Sequence, residues 1–245
     1  MTSPSFSLRP LTSADVDTCA QIAGLAFATD RQTQFKAADP SDPFNHVEGT
    51  EAGLKHSLKR PPGSAELTVA VDDATGEIIG SAVWASRGLV PKDGPAVKLN
   101  IDGVRGDAPP PDASYFDKSK TPREQLDAYT SHDLQTVFMG TLMPPGVRCM
   151  FIVGIAVHPS HQGKGVGKAL IRKVTDRADA EGVCCWVHAS EAGAPVFEKC
   201  GFKVIRRLEL DLDEWNWKGF VPPEGEGARW GRHVLRYMLR EPGKR

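Results

Sequence analysis

The most restrictive feature of this chain is the succession running from Cys149 to Gly182. An apolar run, CMFIVGIAV, is followed by the polar turn HPSHQ, then by Gly163, Gly165 and Gly167. Beyond these, Val166, Leu170, Ile171 and Val174 recur at helical spacing. A run that apolar suits a central strand buried on both faces. Glycines between such a strand and a helix leave bare backbone where a ligand can approach, and the first helical amides carry partial positive charge outward. Lys164 and Lys168 add charge at the same place, so the segment suits a pyrophosphate. The plainer alternative is a tight strand-to-helix turn. Two other phosphate signatures are excluded. A P-loop needs Ser or Thr after Gly-Lys, whereas Lys168 precedes Ala169, and the dinucleotide fingerprint fails because Gly165 is followed by Val166 and Gly167.

The rest of the chain alternates strands and helices. Phe6 to Arg9 reads as a strand, and Thr12 to Asp15 reads as a capping box before an amphipathic helix through Ile22 and Leu25 to Phe27. Asp30 to Asn45 is polar, with Pro40 and Pro43, and reads as a loop that could border a pocket before a short helix over His46 to Leu58. Leu67 to Val71 and Ile78 to Trp84 flank an Asp- and Gly-containing turn and read as an antiparallel hairpin. Residues 87–147 form a long insertion. It is irregular to Pro111 and then carries one helix, signalled by Thr121, Pro122 and Glu124 and halted at Pro144. Strands are expected at Val183 to His188, Val204 to Leu212 and His233 to Leu239, with a short helix at Pro195 to Cys200. The pattern predicts a single α/β (α+β) domain over residues 1–245.

Charge narrows the partners. Lys and Arg total 30 against 31 for Asp and Glu, which supplies no general attraction to nucleic acid or to an anionic membrane. No apolar stretch is long enough for a membrane helix, and the first residues lack the pattern of a secretory signal, so a soluble cytoplasmic protein is expected. The five cysteines show no paired zinc spacing, and no metal is expected.

Gln162-Gly-Lys-Gly165-Val-Gly167 resembles the Q/R-x-x-G-x-G/A acetyl-CoA signature of the GNAT superfamily. IAVHPSHQG is similar to that family's fourth strand and the turn leaving it, and ASEAGAPVFEKCGF to its N-x-x-A-x-x-L-Y-x-K-x-G-F segment in a form common among fungal members. SLRPLTSADVDTCAQIAGLAF is similar to its first strand and helix. Asp30 to Ser64 and Arg87 to Val147 lie outside the resemblance. It implies a mixed central sheet of about seven strands flanked by helices, with the fourth and fifth strands splayed to admit the pantetheine arm. It also implies acetyl-CoA as donor, bound by the backbone of Ile155 and Val157 and by Gln162, Gly163, Lys164, Gly165, Val166, Gly167 and Lys168.

The resemblance further implies direct attack of an amine on the thioester, with the Val157 amide polarising the carbonyl. The usual Tyr acid is replaced by Phe197, and a Glu found in some lysine acetyltransferases is replaced by Phe151. Candidate catalytic residues are therefore His158, His188 and Ser190, Ser190 being also a candidate pantetheine contact or a helix cap. His132 and Asp133 are weaker candidates, and Cys184 and Cys185 are strand residues facing opposite sides of the sheet. The leading expectation is a small-molecule amine N-acetyltransferase, monomeric or homodimeric, with the insertion as lid or dimer surface. The alternatives are a protein-lysine or N-terminal acetyltransferase and an inactive acetyl-CoA-binding protein. Acceptor contacts are expected from Asp30 to His56, the insertion, and Gly219 to Gly231.

Overall fold

The computed structural model describes residues 5–89, 101 and 104–243, so the stretch 90–100 of the expected insertion lies outside the described residues. Strand β1 (Phe6–Pro10) enters the capping box. The Thr12 amide and hydroxyl donate to the Asp15 carboxylate at 2.7 and 2.8 Å, and Arg9 donates to both of its oxygens. The Arg9 hydrogen bonds hold the Asp15 carboxyl well below the usual carboxylate range. Helix α1 (Val16–Phe27) follows, and α3 (His46–Leu58) is started by Asn45, whose side chain accepts from the amides of Val47 and Glu48.

Between them the expected loop contains a further helix, α2 (Arg31–Ala37). It is short and carries one large apolar residue, so periodicity could not reveal it. Two anchors form it: the Asp30 side chain accepts from the Thr33 amide at 2.9 Å, and fully buried Phe35 packs edge-on against Phe220 and Trp230.

Strands β2 (Ala65–Asp72) and β3 (Ile78–Arg87) form the expected hairpin. Across the insertion lie the two-residue strand β4 (Gly106–Asp107) and helix α4 (Pro122–Asp133), which has the expected Thr121–Glu124 capping box and runs on into a π-helical stretch, Leu134–Leu142. Next come β5 (Cys149–Val157), α5 (Val166–Glu181), β6 (Cys184–Ala189), α6 (Ala194–Lys199), β7 (Lys203–Asp211), α7 (Leu212–Trp215) and β8 (Arg232–Arg240).

Among the described residues the strands make one eight-stranded sheet in the order β1-β2-β3-β5-β6-β8-β7-β4, one more than expected because β4 pairs with the edge of β7. Parallel pairing occurs at β5–β6 and at that edge, and the other pairs are antiparallel. Alternation along β6 sends Cys184 and Trp186 into the core beneath α4, the π-helical stretch and α7, and Cys185 and Val187 into the core beneath α5 and α6.

The expectation of a strand buried on both faces fails in the middle of β5, although Ala156 near its end is buried again. Cys149 and Met150 are buried, whereas Val153 and Gly154 are exposed, because the sheet opens beside them. The other edge of β5 is held tightly. A Cβ added to Gly80 on β3 would sit 3.0 Å from the Ala156 carbonyl oxygen and 3.3 Å from Val166 Cγ1. Gly80→Val, favourable for an unconstrained strand, is expected to destabilise the protein by about 1–3 kcal/mol through overpacking. Urea denaturation measures this, and unchanged stability would show that β3 and β5 do not touch there.

Candidate active site

The site begins where β5 and β6 part. Their parallel pairing covers Cys149–Cys184, Met150–Cys185 and Phe151–Trp186 and goes no further. Beyond Phe151, β5 continues with β3 alone, and its register slips so that Ile152 faces Trp84 while Gly154 faces Val83. Val153 is thus a bulged residue, half exposed, and a bulge bends its strand at the point where pairing with β6 stops.

This leaves backbone groups free. The His158 amide donates to the Ile79 carbonyl of β3 at 2.9 Å. Backbone groups alternate along a strand, so the amides of Val157 and Ile155 point to the opposite, vacated edge. The Val157 carbonyl on that edge is taken by the Gln162 side chain, whose Nε2 donates to it at 3.1 Å. Gln162 therefore ties the loop to the end of β5 and leaves the Val157 amide open.

The glycines have separate reasons. Gly163 and Gly165 adopt φ of +74° and +89°, the left-handed region that other residues avoid, and a Cβ at either would meet no atom within 4 Å. Gly167 is helical, and its Cβ would lie 3.7 Å from Val157 Cγ2. Gly165 is also the N-cap of α5 and no side chain accepts from the first amides of that helix, so they stay available to an anion. Open space, uncapped amides and exposed Lys164 and Lys168 fit a pyrophosphate, and the free edge of β5 fits an amide-bearing arm.

One cleft of about 1100 Å³ joins these parts. Its lining takes in Gly163, Gly165, Gly167 and Lys168, the β5 backbone from Phe151 to Val157, and residues of α2 and the π-helical stretch. His188 and Ser190 lie in it; His158 lies outside the lining, its Nδ1 within 2.7 Å of the Ser160 hydroxyl in the turn after β5. The His188 ring stacks on Tyr237 at 4.5 Å and its Nε2 is buried with no hydrogen-bond partner. The Tyr237 hydroxyl in turn donates to Asp133, which Arg206 also approaches at 3.3 Å. Asp133 thus belongs to a buried network below the cleft, and His132 lies outside the lining.

The Ser190 hydroxyl accepts from the Gly193 amide at 3.3 Å, closing the turn into α6. Phe197 is buried edge-on against Phe202, with part of its surface on the cleft. Burial pushes the Cys184 and Cys185 thiols up to about 12, and neither lines the cleft.

Of the segment Asp30 to His56, where acceptor contacts are expected, Asp30, Lys36, Phe44 and His46 line the cleft. The Gly219 to Gly231 segment does not line it; there Phe220 and Trp230 pack around Phe35 instead. His233, read only as the start of the last strand, was missed: it is 2% exposed, lines the cleft, and its Nε2 has no hydrogen-bond partner. Nothing local marks it, because its surroundings are assembled from distant segments. Among the described residues no helix is long and apolar enough to cross a membrane, and no three His, Cys, Asp or Glu side chains group as metal ligands.

Comparison with known proteins agrees with this architecture. Mycothiol acetyltransferase of Pseudarthrobacter chlorophenolicus, a bacterial protein, is 33% identical over 92 residues, which span 31% of this chain and only 28% of that relative. Arylalkylamine N-acetyltransferase 2 from Aedes aegypti superposes over 98% of this chain and 100% of its own, with a TM-score of 0.57 and 15% identity. The histone acetyltransferase HPA2 and related acetyltransferase from Corynebacterium glutamicum superposes over 100% and 99%, with a TM-score of 0.51 and 18% identity. At these identities the structures show a shared fold. Residues 26–202, more than half of the chain, match the Acetyltransferase (GNAT) family. The chain belongs to that family, whose enzymes use acetyl-CoA.

Proposed function

We propose that this chain transfers the acetyl group of acetyl-CoA to a primary amine of a small molecule, by direct attack of the amine on the thioester; the N–C bond forms as the C–S bond breaks, and coenzyme A leaves as the thiol with the proton that the acylated nitrogen sheds. The observation that carries this reading is the free edge of β5, leading from the uncapped N-terminus of α5 into a cleft walled by α2 and the π-helical stretch. Backbone amides from Gln162 to Lys168 would hold the pyrophosphate, and Ile155 and Val157 the pantetheine. The donor supplies an activated acetyl carbonyl. Polarising that carbonyl falls to the open Val157 amide, a fixed dipole that needs no side chain. Walls on both sides of the cleft support a small acceptor over an extended peptide.

Of the histidines singled out in the sequence, His158, His188 and the weaker candidate His132, His188 is the one that lines the cleft, and it alone is kept in this reading. Burial pushes its pKa down to about 4, so it stays uncharged at neutral pH. An imidazole that acidic accepts a proton weakly. Its role is to order the amine, or a water beside it, through a neutral hydrogen bond. Ser190, occupied by the Gly193 amide through one lone pair, keeps its hydroxyl proton for the pantetheine arm.

Two outcomes follow. Gly167→Glu places a negative charge in the first turn of α5, which favours the helix by about 0.3–1 kcal/mol while opposing a pyrophosphate. Calorimetry should show coenzyme A binding weakened at least tenfold in a protein that melts no lower than the parent. Undiminished binding would remove the loop from the donor site. For His188, folding favours the neutral form, so stability is full above the unfolded pKa near 6.5 and falls as pH drops towards about 4. The loss should reach roughly 3 kcal/mol. His188→Phe should flatten that dependence in urea titrations at pH 7 and pH 4.5 and lower kcat/KM by about tenfold; an unchanged acid limb would mean His188 is not the group that titrates.

A further inference from the structure

Asp30, at the start of α2, and His233, at the start of β8, face each other across 3.9 Å between Oδ2 and Nε2. The other carboxylate oxygen, Oδ1, is already committed, accepting from the amide and hydroxyl of Thr33 at 2.9 and 3.0 Å. Oδ2 is turned towards the histidine. The histidine is 2% exposed, lines the cleft, and has no hydrogen-bond partner at Nε2. A buried ring nitrogen left unpaired is costly unless a third group satisfies it. A separation of 3.9 Å is too long for a hydrogen bond, yet one nitrogen lying between and to the side reaches both atoms at ordinary bonding distance.

The chemistry of the pair selects that nitrogen. A carboxylate or phosphate would be repelled by Asp30, and a neutral hydroxyl would leave the carboxylate without a counter-charge. A primary ammonium supplies the charge and more than one N–H donor, one for Oδ2 and one for the ring nitrogen lone pair. Apolar side chains of the same cleft lining, Phe27, stacked on His46 at 4.4 Å, Leu134, Met139, and Leu235 two residues along β8 on the same face, offer contacts to an apolar body, while Arg31, Lys36 and Glu191 supply the charged part of the wall. We propose that Asp30 and His233 clamp the ammonium of an acceptor with an apolar body, and that His233 takes the proton the ammonium must lose. This rests on the amine-acetylation reading above.

In that step one N–H bond of the ammonium breaks, its proton passes to His233 Nε2, and the electron pair stays on the amine nitrogen, which is then able to attack the thioester carbonyl. The imidazolium formed lies beside the Asp30 carboxylate. Burial lowers the proton affinity of His233; Asp30 and Glu191 oppose that, and Arg236 and Lys36 reinforce it. His46 on α3 faces the same carboxylate, and His188 on β6 feels the charge of His233. The ring is neutral when the amine arrives and gains a counter-ion when it protonates.

The test titrates the full chain, labelled in its histidines, with 2-phenylethylammonium, following the ring signal of His233 assigned through the backbone of β8. The signal should move saturably with the ammonium and stay still with 2-phenylethanol. Asp30→Asn, which keeps the cap on α2 because Asn caps as well as Asp, should weaken ammonium binding at least tenfold. His233→Gln should lower kcat at least tenfold, leave the KM for acetyl-CoA unchanged and shift the pH profile. A His233 signal that ignores the ammonium, or Asp30→Asn binding as tightly as the parent, overturns the proposal. Should His233→Gln not fold, the parent titration and the Asp30→Asn arm decide it. Coenzyme A calorimetry on the parent separates the two readings. Loss of coenzyme A binding with a responsive His233 breaks the acetylation reading, whereas retained binding with a silent His233 breaks the clamp alone.

Discussion

The parting of β5 from β6 after Phe151–Trp186 is the constraint on which the rest of the structure depends. A strand in the middle of a sheet that loses its neighbour exposes amides and carbonyls that would otherwise be paired, and unpaired strand edges are templates for another extended chain. Here the vacancy lies between β5 and β6 and begins at the bulge at Val153. An amide-bearing arm satisfies such an edge in the way another strand would. In the function proposed above, a ligand takes the hydrogen bonds that β6 gives up.

That opening is tolerable because β5 is fixed everywhere else. β3 pairs with it on both sides of the bulge, close enough at Gly80 that a methyl group would press on the Ala156 carbonyl. At the far end, Gln162 holds the Val157 carbonyl, and Val166 packs in the core between α5 and the sheet. The loop carrying the glycines is therefore registered against the strand whose amides face the opening. The glycine loop and the free edge line one cleft.

What was legible in the sequence was local. The apolar strand, the glycine turn and the amphipathic α5 announce themselves within one stretch of chain, and the capping boxes at Thr12 and Thr121 are patterns of a few residues. Burial along β5 was misjudged because composition reports that a strand is apolar, not that its neighbour departs halfway. Helix α2 was hidden by its shortness, resting on one N-cap and one buried Phe35. The histidines illustrate the same limit: His158 stands beside the motif in sequence yet outside the cleft, while His233 is remote in sequence yet meets Asp30. Only pairing register and helix docking bring those segments together.

The central claim is that the amides of Ile155 and Val157 are unpaired until the donor arrives. Amide hydrogen exchange along β5, read residue by residue with and without coenzyme A, measures this directly. The account predicts that Ile155 and Val157 exchange rapidly in the free protein and slow markedly on binding, while His158, bonded to Ile79, is slow in both states. Ile155 and Val157 already protected in the free protein, or unaffected by bound coenzyme A, would contradict it.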